Sequence, residues 1–269
     1  MKSVWIKRYK LMKYKTNSYE LISLKEKIMF KNKKVIIFDM DGTLIDSIGI
    51  WNDIDRELIE ELGTVKFDNV NIGKQRDTML KEFSKAEDMY LEYCGFLKEK
   101  YGFKEEREDI KRIRYEIAQG YLKNKIDYKK DAEKVIRYLK EKGFILAIAT
   151  TTNHHTLDVY RTENMNLINK ANLDDYFALM FAKDAVKELK PNPEVHEKIM
   201  KELNVKPEEC LIIEDSLIGV EAANNARIDV VSLYDKYSDA DREEINRLSN
   251  YQFANFNEIL KMIKKELKD

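Results

Sequence analysis

The chain has only two cysteines in 269 residues, Cys94 and Cys210, and they lie too far apart to form a metal-binding spacing or a disulfide framework. Both read as structural residues. Three prolines exclude a proline-rich linker, and internal repeats and low-complexity tracts are absent. No apolar stretch approaches the roughly 20 residues a membrane helix needs, and the N-terminus lacks the unbroken apolar centre of a secretory signal. These absences predict a soluble, cytoplasmic protein with no membrane partner. Charged residues make up 36% of the chain and the mean hydropathy is −0.57, with apolar residues in short, separate groups. The length suits one moderate domain, or a core domain carrying a smaller insert.

The net charge of −1 conceals an asymmetry. Residues 1–34 hold eleven Lys or Arg against Glu20 and Glu26, a net of +9, which leaves −10 for the remainder. A basic arm on an acidic body can reach for nucleic acid or an anionic surface. It is read here as a solvated extension, residues 1–32, without catalytic role. Met29, just ahead of the first apolar run, is a candidate start of the natural product.

From Val35 onwards strand and helix signals alternate. "VIIFD" (Val35 to Asp39) is a continuous apolar run, as expected of a strand covered on both faces of a parallel sheet. "FILAIAT" (Phe144 to Thr150), "FALMFA" (Phe177 to Ala182), "CLIIED" (Cys210 to Asp215) and "DVVSL" (Asp229 to Leu233) repeat the signal, separated by segments with helical spacing. This predicts an α/β fold, an open Rossmann-like parallel sheet with helices on both faces, whose ligands gather at the carboxyl ends of its strands. Between Asp46 and about Tyr128 only helical periodicity occurs. Trp51, Ile54, Leu58, Ile59 and Leu62 form one apolar stripe. Leu80, Phe83, Met89 or Tyr90, Tyr93, Leu97 and Tyr101 form a second, and Ile110, Ile113, Ile117 and Tyr121 a third. The segment reads as an all-helical cap inserted above the sheet's carboxyl edge.

The stretch "VIIFDMDGTLIDS" sends two carboxylates, Asp39 and Asp41, to the end of a buried strand. Residues two apart on a strand face one side, so these two converge, and their repulsion calls for a cation. Mg²⁺, often held by one or two carboxylates with a substrate phosphate, is the natural candidate. Gly42 allows a tight turn that brings backbone N–H groups towards an anion. In "AIATTTN" the strand ends in Thr150 and Thr151, and Asn153 is placed to cap a following helix whose N-terminus favours negative charge. Lys190, in "LKPNP", is held at a loop base by the proline that follows it. "CLIIEDSLIGVEAA" brings Glu214 and Asp215 to another strand end. Each piece taken singly has a bland reading in capping or surface chemistry; their order along successive strand ends gives them meaning.

"DMDGTL", "AIATTTN", "LKPNP" and "IIEDSLIGVEAA" resemble, in order and spacing, the four motifs of the haloacid dehalogenase-like (HAD) hydrolase superfamily. The nearest branch has a helical cap between the first two motifs and includes phosphoglycolate phosphatase-like and β-phosphoglucomutase-like proteins. The resemblance implies a core of residues 33–47 and 129–269 and a cap of residues 48–128. It implies that Asp39 is the nucleophile and that Asp41 protonates the leaving oxygen and then activates water. Gly42, Thr43, Thr150, Thr151 and Lys190 would contact the phosphoryl group. Mg²⁺ would bind Asp39, the Asp41 backbone carbonyl and Asp215, with Glu214 as a further ligand or supporting partner. The implied activity is Mg²⁺-dependent hydrolysis of a small phosphorylated metabolite, such as a phosphosugar. A phosphomutase would share these residues, whereas a carbon–halogen hydrolase would lack Asp41. A non-catalytic binding module using the basic arm is the reading from another class. Nucleic acid is not an expected partner of the catalytic body, and a monomer or weak dimer is expected.

Two departures from the family pattern stand out. "YKKDAEKV" lacks the usual Pro-Gly pair before the helix, and "NNAR" stands where a glycine commonly follows the alanines. Both bear on loop geometry. Trp51, Asp55, Arg56, Lys74 and Arg76 lie within reach of the cleft but are read as solvated or packed.

Overall fold

The computed structural model describes residues 28–65 and 71–267. Residues 1–27, and with them most of the basic arm and its expected solvated character, lie outside those limits. Two residues assigned to the arm by sequence, Met29 and Phe30, fall within the described residues. Met29 and Phe30 are buried in the main core, and their backbone N–H groups donate to the Glu266 carboxylate at 3.0 and 2.9 Å. The described core therefore includes Met29 and Phe30, whose apolar side chains pack on the sheet and whose amides find their acceptor in Glu266.

Six strands form one sheet: β1 (Val35–Phe38), β2 (Ile145–Ala149), β3 (Phe177–Phe181), β4 (Cys210–Glu214), β5 (Asp229–Leu233) and β6 (Tyr251–Phe253). Their order is β3-β2-β1-β4-β5-β6, and every pairing is parallel. β1 lies between β2 and β4, with Val35 opposite both Ile145 and Cys210. Its continuous apolar run follows from that position. Ile36 and Phe38 point into one core cluster, Val35 and Ile37 into another on the opposite face, as the two-residue repeat of a strand requires. Five strands match the apolar runs; β6 does not, since it is a short edge strand with Gln252 between half-buried Tyr251 and Phe253.

The insert after β1 comprises α1 (Ile50–Leu62), α2 (Ile72–Glu82), α3 (Met89–Tyr101) and α4 (Arg107–Asn124). Leu58, Ile59, Tyr93, Leu97, Tyr101 and Ile110 belong to a hydrophobic core separate from the two that flank the sheet. The apolar stripe from Leu80 to Tyr101 is two helices, parted where the Asp88 side chain accepts from the Leu91 amide (3.0 Å) and starts α3. Trp51 and Tyr90, expected in that core, are 38% and 44% exposed and border the cleft beneath the cap instead. The remaining helices are α5 (Ala132–Glu141), α6 (His154–Thr162), α7 (Met165–Ala171), α8 (Leu173–Tyr176), α9 (Glu194–Leu203), α10 (Leu217–Asn225), α11 (Arg242–Leu248) and α12 (Phe256–Glu266). α5 and α12 cover one face of the sheet, and α9, α10 and α11 the other. No described helix is long and apolar enough to cross a membrane.

Candidate active site

Three strand ends meet in the middle of the sheet. β1 runs into Asp39 and Asp41, β2 into Thr150 and Thr151, and β4 ends in Glu214 with Asp215 following. Lys190, from the loop before α9, reaches the same point. Its Nζ donates to Asp39 Oδ1 (2.7 Å) and to Glu214 Oε1 (2.9 Å), and all three residues are buried. Asp39, Glu214 and Asp215 each offer an oxygen within 4.8 Å of the other two.

Glu214 has little acceptor capacity left. Its Oε2 accepts from the amides of Asp215 (2.6 Å) and Ser216 (2.8 Å) and from the Ser216 hydroxyl (3.1 Å). α10 starts directly against it: a Cβ at Gly219 would sit 1.6 Å from Glu214 Oε1, so only glycine admits this carboxylate. Thr43 is fully buried and donates to Asp215 Oδ1 at 2.7 Å. Its hydroxyl therefore orients a carboxylate, and does not face the cleft as a phosphate contact would. The Gly42 amide likewise donates to Ile45 O (3.0 Å) and is spent inside the turn. What Gly42 contributes is shape: φ is +88°, and a Cβ would lie 2.6 Å from Asp215 Oδ2.

Asp41 points elsewhere. Ser47 donates to its Oδ1 (2.6 Å), Tyr160 to the same oxygen and Thr150 to Oδ2, both at 3.4 Å. Thr152 N donates to Thr150 Oγ1 (3.0 Å), and Asn153 caps α6 by accepting from the Thr156 amide (2.8 Å). Asp41, Thr151, Thr152 and Asn153 line a cleft of about 1300 Å³ that extends up to the cap.

The electrostatics follow from burial. Desolvation, reinforced by Glu214 and Asp215 and only partly opposed by Lys190, holds the Asp39 carboxyl well above the usual range. Burial and then Glu214 push Asp215 up to about 7. Burial also raises Asp41, against the pull of its hydroxyl donors, Ser47 first. For Lys190, burial opposes the charge, but Asp39 and Glu214 outweigh it and the ammonium is held above its ordinary value. When ionised, the three buried carboxylates beside one ammonium carry an excess of negative charge on an all-oxygen donor set. That set suits a hard divalent cation.

Several site residues escaped the sequence reading. Ser47 stood in the quoted stretch but carries no motif weight. Tyr160 lies two turns into α6, and nothing local marks it as a partner of Asp41. Arg114 had a legible signal, a charged residue on an otherwise buried helix stripe, whereas Asp55, named above as solvated or packed, is packed and fully buried. In α4 the buried positions are Ile110, Arg114, Ala118 and Leu122, each four apart. Arg56 pairs with Asp53 on the exposed face, whereas Trp51, Lys74 and Arg76 line the cleft.

Comparison with known proteins agrees with this arrangement. The family model for haloacid dehalogenase-like hydrolases matches residues 36–233. A phosphorylated carbohydrates phosphatase of Thermotoga maritima is 28% identical over 196 residues, 73% of this chain and 82% of the relative. A phosphoglycolate phosphatase of Aquifex aeolicus is 30% identical over 196 residues, 72% and 81%. Among solved structures, CbbY from Rhodobacter sphaeroides in complex with phosphate superposes with a TM-score of 0.60 at 21% identity, covering 84% of this chain and 96% of that one. The chain belongs to the haloacid dehalogenase-like hydrolase family.

Proposed function

We propose that the protein is a Mg²⁺-dependent phosphatase that hydrolyses a small phosphorylated metabolite, a phosphosugar being the favoured class, through an aspartyl phosphate on Asp39. The observation that carries this reading is the division of labour between two nearby carboxylates: Asp39 is fixed by the Lys190 ammonium, Asp41 by hydroxyls within the cleft. Relatives named for phosphatase activity on phosphorylated carbohydrates and phosphoglycolate support it.

Asp39 attacks phosphorus, the bond from phosphorus to the leaving oxygen breaks, and the Asp41 carboxylic acid gives that oxygen its proton. Asp41, now ionised, takes a proton from water as the water attacks the aspartyl phosphate. Inorganic phosphate leaves and Asp39 is restored. Carboxylate attack on a phosphate dianion is opposed by like charge, so the site must neutralise and position. Lys190 offsets charge around Asp39, and the Thr151–Asn153 turn at the α6 N-terminus presents a setting that favours an anion. Asp39, Asp215 and the Asp41 backbone carbonyl would hold Mg²⁺. Glu214, its oxygens occupied, fits better as the support that orients Lys190. Bound Mg²⁺ supplies further neutralisation of the transferring phosphoryl group.

The test is release of inorganic phosphate from 4-nitrophenyl phosphate and a panel of sugar phosphates, with Mg²⁺ or with chelator. Release should require Mg²⁺ and vanish in Asp39→Asn. Positional transfer of phosphate without release would assign the site to a phosphomutase; release that survives Asp39→Asn would remove Asp39 from its role.

A further inference from the structure

An ammonium fixes Asp39, whereas the groups acting on the Asp41 carboxyl are the hydroxyls of Ser47, Thr152, Thr150 and Tyr160. The direction of Asp41 then depends on where those hydroxyls stand. A carboxyl turns about a broad, nearly two-fold torsion, so a single donor does not decide which oxygen it meets. Two donors on one oxygen, arriving from separate parts of the fold, do decide it.

Asp41 Oδ1 has that arrangement. Ser47 donates to it at 2.6 Å and Tyr160 at 3.4 Å, while at Oδ2 the Thr150 hydroxyl stands 3.4 Å away. Ser47 lies on the connection from β1 into the cap, whereas Tyr160 lies on α6, which packs on the core. The Tyr160 side chain is 2% exposed and sits in the main core cluster with Leu157 and Leu167, yet the residue also contributes to the cleft wall beside Asp41. Packing alone asks for no hydroxyl among such neighbours, and a buried phenol costs free energy unless it finds an acceptor. Asp41 is the acceptor it finds. Burial, and after it the Asp41 charge, hold the phenol well above its ordinary pKa, so it stays a donor at neutral pH. The bond is long, and hydrogen bonds of catalytic groups often tighten only with substrate in place.

Resting on the phosphatase reading, we infer that Tyr160 is a positioning residue for proton transfer at Asp41: together with Ser47 it occupies Oδ1, and so leaves Oδ2 as the oxygen that gives a proton to the leaving group and then takes one from water. Tyr160 touches neither the phosphoryl group nor the leaving oxygen and acts through Asp41 alone. Its own hydrogen stays on the phenol throughout, so the proton balance of the reaction is unchanged.

The test compares phenyl phosphate with 4-nitrophenyl phosphate in the presence of Mg²⁺. The two esters are similar in shape, and departing phenolate needs the proton more than nitrophenolate does. Tyr160→Phe keeps the ring and removes the hydroxyl. It should lower kcat/KM for phenyl phosphate by about fivefold and leave that for the nitrophenyl ester within about twofold, as the net worth of one hydrogen bond allows. The ratio between the esters is taken within one preparation, so loss of folded protein does not move it. In an Asp41→Asn background the same substitution should leave the ratio unchanged, because the group through which Tyr160 acts is gone. A ratio that is the same in Tyr160→Phe and wild type would overturn the positioning role and leave the phosphatase reading standing. A ratio that falls equally in both backgrounds would overturn it too, since Tyr160 would then act on the ester itself. No release of phosphate by the wild type from any ester would overturn the phosphatase reading and the positioning role together.

Discussion

At the scale of single residues, the two aspartates are distinguished by what surrounds them. Asp39 faces an ammonium and two other carboxylates, an arrangement that suits the nucleophile proposed above. Asp41 faces the hydroxyls of Ser47, Thr150, Thr152 and Tyr160, and burial raises its pKa, which favours the protonated form that the proposed proton donor needs. That role predicts a dependence on the leaving group. Asp41→Asn should lower turnover of an alkyl phosphate by about 100-fold or more, and that of 4-nitrophenyl phosphate by less, because nitrophenolate departs without needing a proton. Steady-state rates on the two substrates check this; equal losses would mean that Asp41 acts chiefly by holding geometry. The positions of Asp39, Asp41, Thr150 and Asp215 were legible in the sequence because each follows a buried apolar run that could only be a strand. Ser47 and Tyr160 were not, since their contacts with Asp41 depend on how the insert and α6 return to the sheet. Thr43 was legible as a site residue but not in its orientation towards Asp215.

At the scale of elements, the two departures from the family pattern become intelligible as backbone geometry. Asp131, in the segment that lacks Pro-Gly, has φ +69°, and Arg227, in "NNAR", has φ +61°. Both occupy the left-handed region that glycine enters freely, so the chain keeps the turns and loses the residue suited to them. The left-handed conformation costs a non-glycine residue about 1–2 kcal/mol, and glycine's own entropic penalty offsets roughly half of that. Arg227 is exposed, and its amide donates to Asn224 O, a bond that glycine can also make. Arg227→Gly should therefore stabilise the protein by about 0.5–1 kcal/mol, read as a higher denaturation midpoint with an unchanged slope. A lower midpoint would mean that the Arg227 side chain contributes more than its backbone strain removes. Sequence periodicity served the sheet better than the insert for a related reason. A strand buried on both faces is apolar throughout, whereas Trp51 and Tyr90 continue a helical stripe in spacing while facing a cleft, and β6 is too short to show any period.

At the scale of the whole molecule, the concentration of buried acid at one sheet edge links stability to pH and to metal. Asp215 is raised to about 7 from an ordinary 3.8, and Asp39 is raised as well. A carboxyl whose folded pKa lies above its unfolded value contributes stability at low pH, and loses it as pH rises through the folded pKa. The metal-free protein should therefore weaken between about pH 4 and pH 7 from these groups. His196 acts in the opposite sense: burial and then Lys190 hold its pKa well below 6.5, so its contribution fades as pH falls below that value. Lys190, raised in the fold, stays charged across this window. A divalent cation held by the ionised cluster, as proposed above, would have to displace protons from it when the pH is low. Mg²⁺ at about 100 times its dissociation constant adds roughly 2.7 kcal/mol, or about 5–10 °C in Tm for a chain of this size. That gain is expected in full at pH 8 and at most about half of it at pH 5. Melting curves followed by circular dichroism, with Mg²⁺ or with chelator at each pH, give the four values. Asp215→Asn should raise the metal-free Tm at pH 8 by removing a buried charge, and should abolish most of the Mg²⁺ increment there. Equal increments at both pH values, or an increment that survives Asp215→Asn, would place the cation outside the Asp39–Glu214–Asp215 cluster.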